Sequence, residues 1–138
     1  MLEKKYRFYL SFENSLCEDY VTEKFFNILQ YDVIPITFNG AEMEKIAPPH
    51  SYINSLDFDT PKALAKFLKE ISENDALYAS YFWWKDYYEI RNRAQDRAQA
   101  YCDLCAALND PKKPPKTYPN MHNWWVQESR CRKYSFRT

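Results

Sequence analysis

Four polar side chains near the start of the chain can together bind a phosphorylated sugar. Lys24 stands two residues after Thr22, where a helix is expected to begin, and an ammonium beside the free amides of a helix start suits a phosphate or a diphosphate. Asn14, Tyr20 and Glu23 supply the hydrogen-bond donors and acceptors that sugar hydroxyl groups need. The pattern predicts an anion site with hydroxyl contacts, and it favours a sugar nucleotide as the ligand.

Each of these residues also has a purely structural interpretation. A glutamate and a lysine on a helix most often form a solvated face. Because adjacent helical residues point in different directions, Glu23 and Lys24 are not expected to form a salt bridge. Asn14 can be a turn residue and Tyr20 a half-buried core ring. Their shared position between one strand and one helix favours the functional interpretation.

A strand, a bend and a helix are expected to position this site. Residues 6–12 form an aromatic-rich run of strand length, and residues 21–29 carry an apolar helical stripe, with Thr22 or Asp19 as the cap. A second buried strand is predicted over 33–38, which completes a βαβ unit. Ligands bind beyond the carboxyl ends of strands in such sheets, so the bend after the first strand and the turn after the second should meet at one crevice.

The rest of the chain predicts further α/β structure with a helical C-terminal region. A short helix is expected over 41–46 and a third parallel strand over 52–54. Thr60 and Pro61 indicate the start of a helix that packs on the sheet. The stretch 75–109 should hold two helices with a break near 85–88. The second carries a stripe that would be an interface in a longer protein, comprising Ala94, Ala98, Tyr101, Cys102, Cys105 and Leu108.

The segment around the candidate site resembles a known family. The run from Phe12 to Lys24 reads FENSLCEDYVTEK, which closely resembles the donor-binding signature of the α1,3-fucosyltransferases, inverting enzymes that use GDP-fucose. The resemblance covers roughly positions 5 to 109 and is greatest to the invertebrate branch that fucosylates the innermost GlcNAc of N-glycans. Further agreement lies in the segments 35–40, 47–53, 57–58 and 81–85.

The resemblance implies a fold and a cellular setting. The chain would be the C-terminal half of a GT-B glycosyltransferase, a Rossmann-like parallel sheet flanked by helices, with the GDP-fucose-binding domain over 1–109 and a linker and tail over 110–138. Family members are Golgi membrane enzymes with a luminal catalytic part. Their N-terminal anchor and N-terminal domain have no counterpart in this sequence, and since it has no run of about 20 apolar residues, the chain itself is expected to be soluble.

The resemblance also assigns roles to residues. Lys24 would contact the donor diphosphate, Glu23 the donor hydroxyl groups, and Asn14 and Tyr20 further parts of GDP-fucose. Secondary donor-binding candidates are Glu13, Thr22 and Ser51. The catalytic base would lie in the N-terminal domain, so no catalytic residue is expected here and the isolated chain is expected to be inactive. No metal or other cofactor is required, and Asp57 in the Asp-Phe-Asp run is interpreted as structural or sugar-contacting.

Four cysteines allow several interpretations. Cys102 and Cys105 form a C-x-x-C motif that could be half of a zinc site or a redox pair, but no second pair of ligands stands at a matching spacing. The resemblance implies that these late cysteines form disulfides with the N-terminal half of the parent enzyme. Cys17 and Cys131 pair either with residues outside this sequence or with each other.

Composition excludes several classes of function. The 138 residues carry 19 basic and 19 acidic side chains, so no overall positive field attracts nucleic acid or an anionic membrane. Gly40 is the sole glycine, which rules out the glycine-rich phosphate loops of dinucleotide-binding proteins and P-loop NTPases. Aromatic residues make up 18% of the chain, so a non-catalytic, lectin-like glycan-binding module remains the alternative to a fucosyltransferase.

Overall fold

A computed structural model describes residues 5–90 and 93–134, with the side chains of 93–96 excepted. Its centre is a parallel sheet of three strands, as the sequence predicts, and the strands lie in the order β1-β2-β3. Strand β1 spans Phe8–Phe12, β2 spans Ile34–Phe38 and β3 spans Ile53–Asn54. Strands β1 and β2 pair along their whole length, whereas β3 pairs only with Ile36 and Thr37.

The central strand contains a proline without losing a sheet hydrogen bond. Ile34 donates its amide to the Arg7 carbonyl on the β1 side, so the nitrogen of the next residue, Pro35, faces the opposite side. Strand β3 begins at Ile53, opposite Ile36, and therefore has no residue paired with Pro35. The short third strand is thus compatible with a residue that lacks an amide donor.

Two apolar clusters flank the sheet. Helix α2 (Pro61–Glu73) covers one face through Ile71, which is fully buried against isoleucines of β2 and β3. Its start is as predicted, because the Thr60 hydroxyl accepts the Ala63 amide at 3.1 Å and Pro61 is the first helical residue. The second cluster lies around the segment after β1 and consists of Phe25, Leu29, Met43, Ala47 and Trp84.

The helix after β1 is shorter than predicted. Helix α1 spans only Glu23–Phe26, and a 3₁₀ turn follows at Ile28–Gln30, so the prediction of one α-helix over 21–29 is wrong beyond Phe26. The same apolar residues are still buried, because a 3₁₀ turn also brings positions 28 and 29 to the core. The predicted short helix over 41–46 is likewise a 3₁₀ turn, Met43–Lys45.

The second half of the described chain is helical and largely exposed. Helix α3 spans Asp75–Ser80, a 3₁₀ turn covers Trp83–Asp86, and α4 spans Arg93–Asn109. Two helices with a break are therefore confirmed, although the break is wider than predicted. On α4, Tyr101 and Leu108 are about three-quarters exposed, as expected for an uncovered stripe; the side chain of Ala94 lies outside the described ones.

Candidate functional site

The two connections that follow β1 and β2 meet at one edge of the sheet, as predicted. Phe12 and Phe38 are paired at the strand ends, and the Glu13 amide donates to the Phe38 carbonyl at 3.0 Å. Gly40 lies so close to the connection between β1 and α1 that a Cβ atom at position 40 would be 2.7 Å from the Cys17 carbonyl oxygen. A side chain at position 40 would therefore push this connection away from the sheet.

Glu13 is the buried centre of the connection between β1 and α1. Its side chain has no exposed surface, and its Oε1 accepts the Thr22 amide at 2.8 Å. The Thr22 hydroxyl lies 2.9 and 3.0 Å from the two carboxylate oxygens. A buried carboxylate needs such donors because it has lost its water. Glu13 thus ties the end of the strand to the start of the helix.

This arrangement corrects the prediction of free amides at the helix start. The Thr22 amide is taken by Glu13, and the Lys24 amide donates to the Thr22 hydroxyl at 3.4 Å, which confirms Thr22 as the cap. A helix of four residues also has only a small dipole. The attraction of this site for an anion must therefore come from the Lys24 side chain rather than from the backbone.

Lys24 has a partly exposed side chain whose ammonium contacts several neighbouring oxygens. Its Nζ lies 3.4 Å from the Thr22 hydroxyl and 3.6 Å from Glu13 Oε2, while 32% of the side chain is exposed. The Ser11 hydroxyl donates to the Lys24 carbonyl at 3.1 Å and fixes the helix against β1. The expectation that Glu23 and Lys24 diverge is wrong, since Glu23 Oε1 lies 3.8 Å from Nζ; the long side chains bend together at the surface.

The charges around Lys24 determine how strongly this group of residues can bind a diphosphate. One ammonium between two carboxylates leaves the group with a net charge of about −1, which does not favour a diphosphate strongly by itself. Because the Lys24 side chain is partly exposed, its ammonium can still donate to a phosphate oxygen, and the exposed Glu23 can accept from sugar hydroxyl groups. A second cation from another part of the enzyme would be needed for tight binding.

The other predicted contacts take different positions. Asn14 is exposed directly after Glu13, and Tyr20 is partly buried and lines a cavity that Lys24 does not line. Ser51 lies apart from the group, in the connection between β2 and β3, where its buried hydroxyl donates to the Pro48 carbonyl at 2.7 Å. Glu13, Thr22, Glu23 and Lys24 are therefore the residues that the structure brings together.

Sequence reasoning missed the role of the C-terminal segment. Cys17 and Cys131 form a disulfide, which resolves the open pairing of these two cysteines. The Glu18 amide donates to the Ser129 carbonyl, and the Arg132 amide to the Leu16 carbonyl, both at 2.8 Å. The segment previously interpreted as a tail is thus attached to the connection between β1 and α1. No periodic pattern indicates this contact, and the cysteine pair was its only signal.

Cys102 and Cys105 are exposed on α4 and form no disulfide within the described chain. No group of three side chains that could ligate a metal occurs within residues 5–90 and 93–134. Asp57 accepts from the Asn54 side chain at 2.9 Å, as a loop residue does. Among the described helices, none combines the length and the apolar character that crossing a bilayer requires.

Replacing Glu13 with glutamine is expected to lower the free energy of unfolding by about 1–3 kcal/mol. Glutamine keeps one acceptor oxygen for the Thr22 amide and has an amide nitrogen in place of Oε2, so the ion pair of Oε2 with Lys24 Nζ at 3.6 Å and the acceptor at 2.9 Å from the Thr22 hydroxyl are lost. Urea denaturation followed by circular dichroism measures the change. The same replacement at the exposed Glu44 is the control and should shift stability by less than about 0.5 kcal/mol. Equal effects would show that Glu13 does not brace the connection.

Comparison with known proteins gives consistent matches. A family model described as "Glycosyltransferase family 10 (fucosyltransferase) C-term" matches residues 1–124. Alpha-(1,3)-fucosyltransferase C of Drosophila melanogaster is 44% identical over 132 residues, covering 94% of this chain and 30% of the relative. Glycoprotein 3-alpha-L-fucosyltransferase A of the same fly is 39% identical over 142 residues, covering 99% and 27%. A human 4-galactosyl-N-acetylglucosaminide 3-alpha-L-fucosyltransferase is 38% identical over 112 residues, covering 79% and 31%.

Proposed function

This chain belongs to glycosyltransferase family 10, the fucosyltransferases, and on that premise we propose that its Glu13–Lys24 segment binds GDP-fucose. The chain spans about 30% of the length of the relatives above, so the activity of a whole enzyme is part of the proposal. The observation that carries it is the partly exposed Lys24 ammonium, held at the carboxyl end of β1 by the buried Glu13. Ligands of open α/β sheets bind at this end of the strands.

The proposed reaction is transfer of L-fucose to GlcNAc in α1,3 linkage with inversion. Lys24 would hold the diphosphate and neutralise the charge that develops on the departing GDP. Glu23, Asn14 and Tyr20 would orient the donor through its hydroxyl groups. The carboxylate base that deprotonates the acceptor would come from an N-terminal domain, so the 138-residue chain alone should bind donor without transferring fucose. Since an ammonium supplies the neutralising charge, the proposal includes no metal.

The proposed acceptor is GlcNAc of a glycan, in first place the innermost GlcNAc of N-glycans. The relatives differ in the acceptors that their names specify, a glycoprotein for one and a galactosyl-N-acetylglucosaminide for another. The proposed location of the parent enzyme is the Golgi lumen, with a membrane anchor outside this chain. The Cys17–Cys131 disulfide supports an oxidising compartment of this kind.

A fusion experiment tests the proposed function. The chain is joined to the N-terminal portion of the Drosophila α-(1,3)-fucosyltransferase C, and transfer from GDP-fucose to a GlcNAc acceptor is measured for the fusion and for each half. We expect transfer by the fusion only. Robust transfer by the 138-residue chain alone would contradict the proposal that the catalytic base lies in an N-terminal domain. A chain that binds glycans but not GDP, with an inactive fusion, would instead indicate the lectin-like alternative.

A further inference from the structure

A cavity of about 730 Å³ lies between the connection after β1 and the C-terminal segment. Five of its lining residues come from positions 15–20 and six from positions 124–131. Its volume falls within the range of about 300–1,000 Å³ that is common for small-molecule sites. The region 124–131 lies almost entirely beyond the residues that match the family model, which end at 124. One wall of the cavity therefore lies within the residues that match the family model, and the other lies almost entirely outside them.

The walls of this cavity are firmly joined. The Cys17–Cys131 disulfide links the two walls, and the hydrogen bonds from Glu18 to Ser129 and from Arg132 to Leu16 hold the two segments side by side. One wall ends in a π-helical turn, Asn123–Gln127, closed by the Glu128 amide donating to the Asn123 carbonyl at 3.0 Å. Such turns occur frequently at functional sites. A cavity with fixed walls needs little ordering when it binds a ligand.

The charge of the lining excludes an anionic ligand. Glu18, Asp19 and Glu128 line the cavity, and no lysine, arginine or histidine is among its lining residues. Glu18 is paired with Arg130 at 3.3 Å. The Asp19 carboxylate makes no hydrogen bond or ion pair within the part of the chain that the structure describes, although it is close enough to Lys45 to interact with it electrostatically. A diphosphate would be repelled here. The cavity is thus chemically distinct from the surroundings of Lys24.

The aromatic residues of the lining favour a sugar ring. Trp125 is 61% exposed, and the ring of its neighbour Trp124 packs against that of Tyr118, with the ring centroids 4.4 Å apart. The apolar face of a pyranose can pack on an exposed indole, while its hydroxyl groups donate to free carboxylates such as Asp19. An exposed ring beside unpaired acceptor oxygens suits a neutral carbohydrate better than a purely apolar ligand.

We propose that this cavity is a glycan site that binds a neutral sugar residue of the acceptor chain through Trp125 and Asp19. The proposal rests on the proposed function in one respect, that the bound sugar is taken to be part of the fucose acceptor. Residues 15–20 of the Glu13–Lys24 segment form one wall of the cavity, and Tyr20 is the proposed donor contact among them, so a glycan bound here lies beside the donor. It holds a part of the acceptor other than the reacting sugar and does not require the donor to be present.

Titration of the 138-residue chain with N,N′-diacetylchitobiose, followed by saturation-transfer NMR, tests the proposal. We expect binding that saturating GDP does not displace. Trp125→Ala should weaken it about fivefold or more, as truncation of a central aromatic contact does. Trp83→Ala is the matched control, because Trp83 is 41% exposed and does not line the cavity. This variant should bind the disaccharide with the affinity of the unmodified chain.

Asp19→Asn is the second variant and should weaken binding about tenfold, since it removes a charged acceptor. Asparagine tolerates the positive φ of 57° at this position, so the fold should be kept even if Trp125→Ala unfolds. No binding of the disaccharide, displacement by GDP, or unchanged affinity in the folded variants would overturn the proposal. GDP binding by the same samples separates the two ideas: GDP bound without glycan defeats only this inference, and glycan bound without GDP defeats only the donor site.

Discussion

Replacing Lys24 with alanine is expected to weaken GDP binding by about 10- to 150-fold. A hydrogen bond from an ammonium to a phosphate oxygen contributes about 1.5–3 kcal/mol, and the Lys24 side chain is exposed enough to reach a ligand. The fold should survive, because about a third of the Lys24 side chain is exposed and its backbone contacts remain. Isothermal titration calorimetry with GDP measures the change. In the fusion enzyme, the rate of transfer should fall with the affinity.

Two further variants make this prediction specific. Lys112→Ala removes the same charge from an exposed position in the segment after α4 and should leave GDP affinity within about twofold, because general electrostatic attraction is weak and screened. Lys24→Arg keeps the positive charge but replaces the ammonium with a planar guanidinium. This variant should therefore keep only part of the GDP affinity of the unmodified chain. Equal losses for Lys24→Ala and Lys112→Ala would mean that GDP is attracted by overall charge and not by this site.

Replacing Cys131 with serine is expected to lower the free energy of unfolding by about 2–5 kcal/mol. The disulfide joins positions separated by 114 residues, and cross-links that close long loops restrict the unfolded chain strongly. The variant should also release the C-terminal segment from the connection after β1, since the adjoining contacts are only a few hydrogen bonds. Urea denaturation without reductant measures the effect, and reductant should destabilise the unmodified chain by a similar amount.

Cys102→Ser is the matched control, because Cys102 is exposed and forms no disulfide within the described chain. Its effect on stability should stay within about 0.5 kcal/mol. If Cys131→Ser and Cys102→Ser were equally mild, the Cys17–Cys131 bond would not form in solution, and the cavity between the two segments would lose its main support.

The sheet and its covering helix were predictable because local patterns determine them. Residues 33–38 form a short apolar run closed by Asn39 and Gly40, which is typical of a buried parallel strand. Thr60 and Pro61 combine a capping hydroxyl with a residue suited to the first helical turn. The convergence of the two strand ends then follows from parallel pairing alone. None of these features depends on a distant part of the chain.

The interior of the site was less predictable, because the role of each charged residue depends on whether its side chain is buried. The sequence shows Glu13 and Glu23 as two similar acidic residues, and nothing in its local pattern says that one is buried against Thr22 while the other is exposed. The length of α1 could not be predicted from the sequence either, since apolar residues at 25, 28 and 29 suit both an α-helix and a 3₁₀ turn. The hydrogen bond from the Thr22 amide to Glu13 could be seen only in three dimensions.

The attachment of the C-terminal segment to the connection after β1 was the feature least predictable from the sequence. Leu16 and Arg132 form an isolated antiparallel bridge although more than a hundred residues separate them. Segment 123–131 has no regular hydrophobic period, so its attachment leaves no local pattern. Cysteine counting allowed the Cys17–Cys131 pair but could not choose it from the alternatives.

The most direct test of the donor site is a titration of the ¹⁵N-labelled chain with GDP, followed by the amide resonances. The account predicts that the largest shifts fall within Glu13–Phe25, with small shifts in the exposed helix Arg93–Asn109. Shifts concentrated in that helix or in the segment 124–131, or no shifts at high GDP concentration, would contradict it.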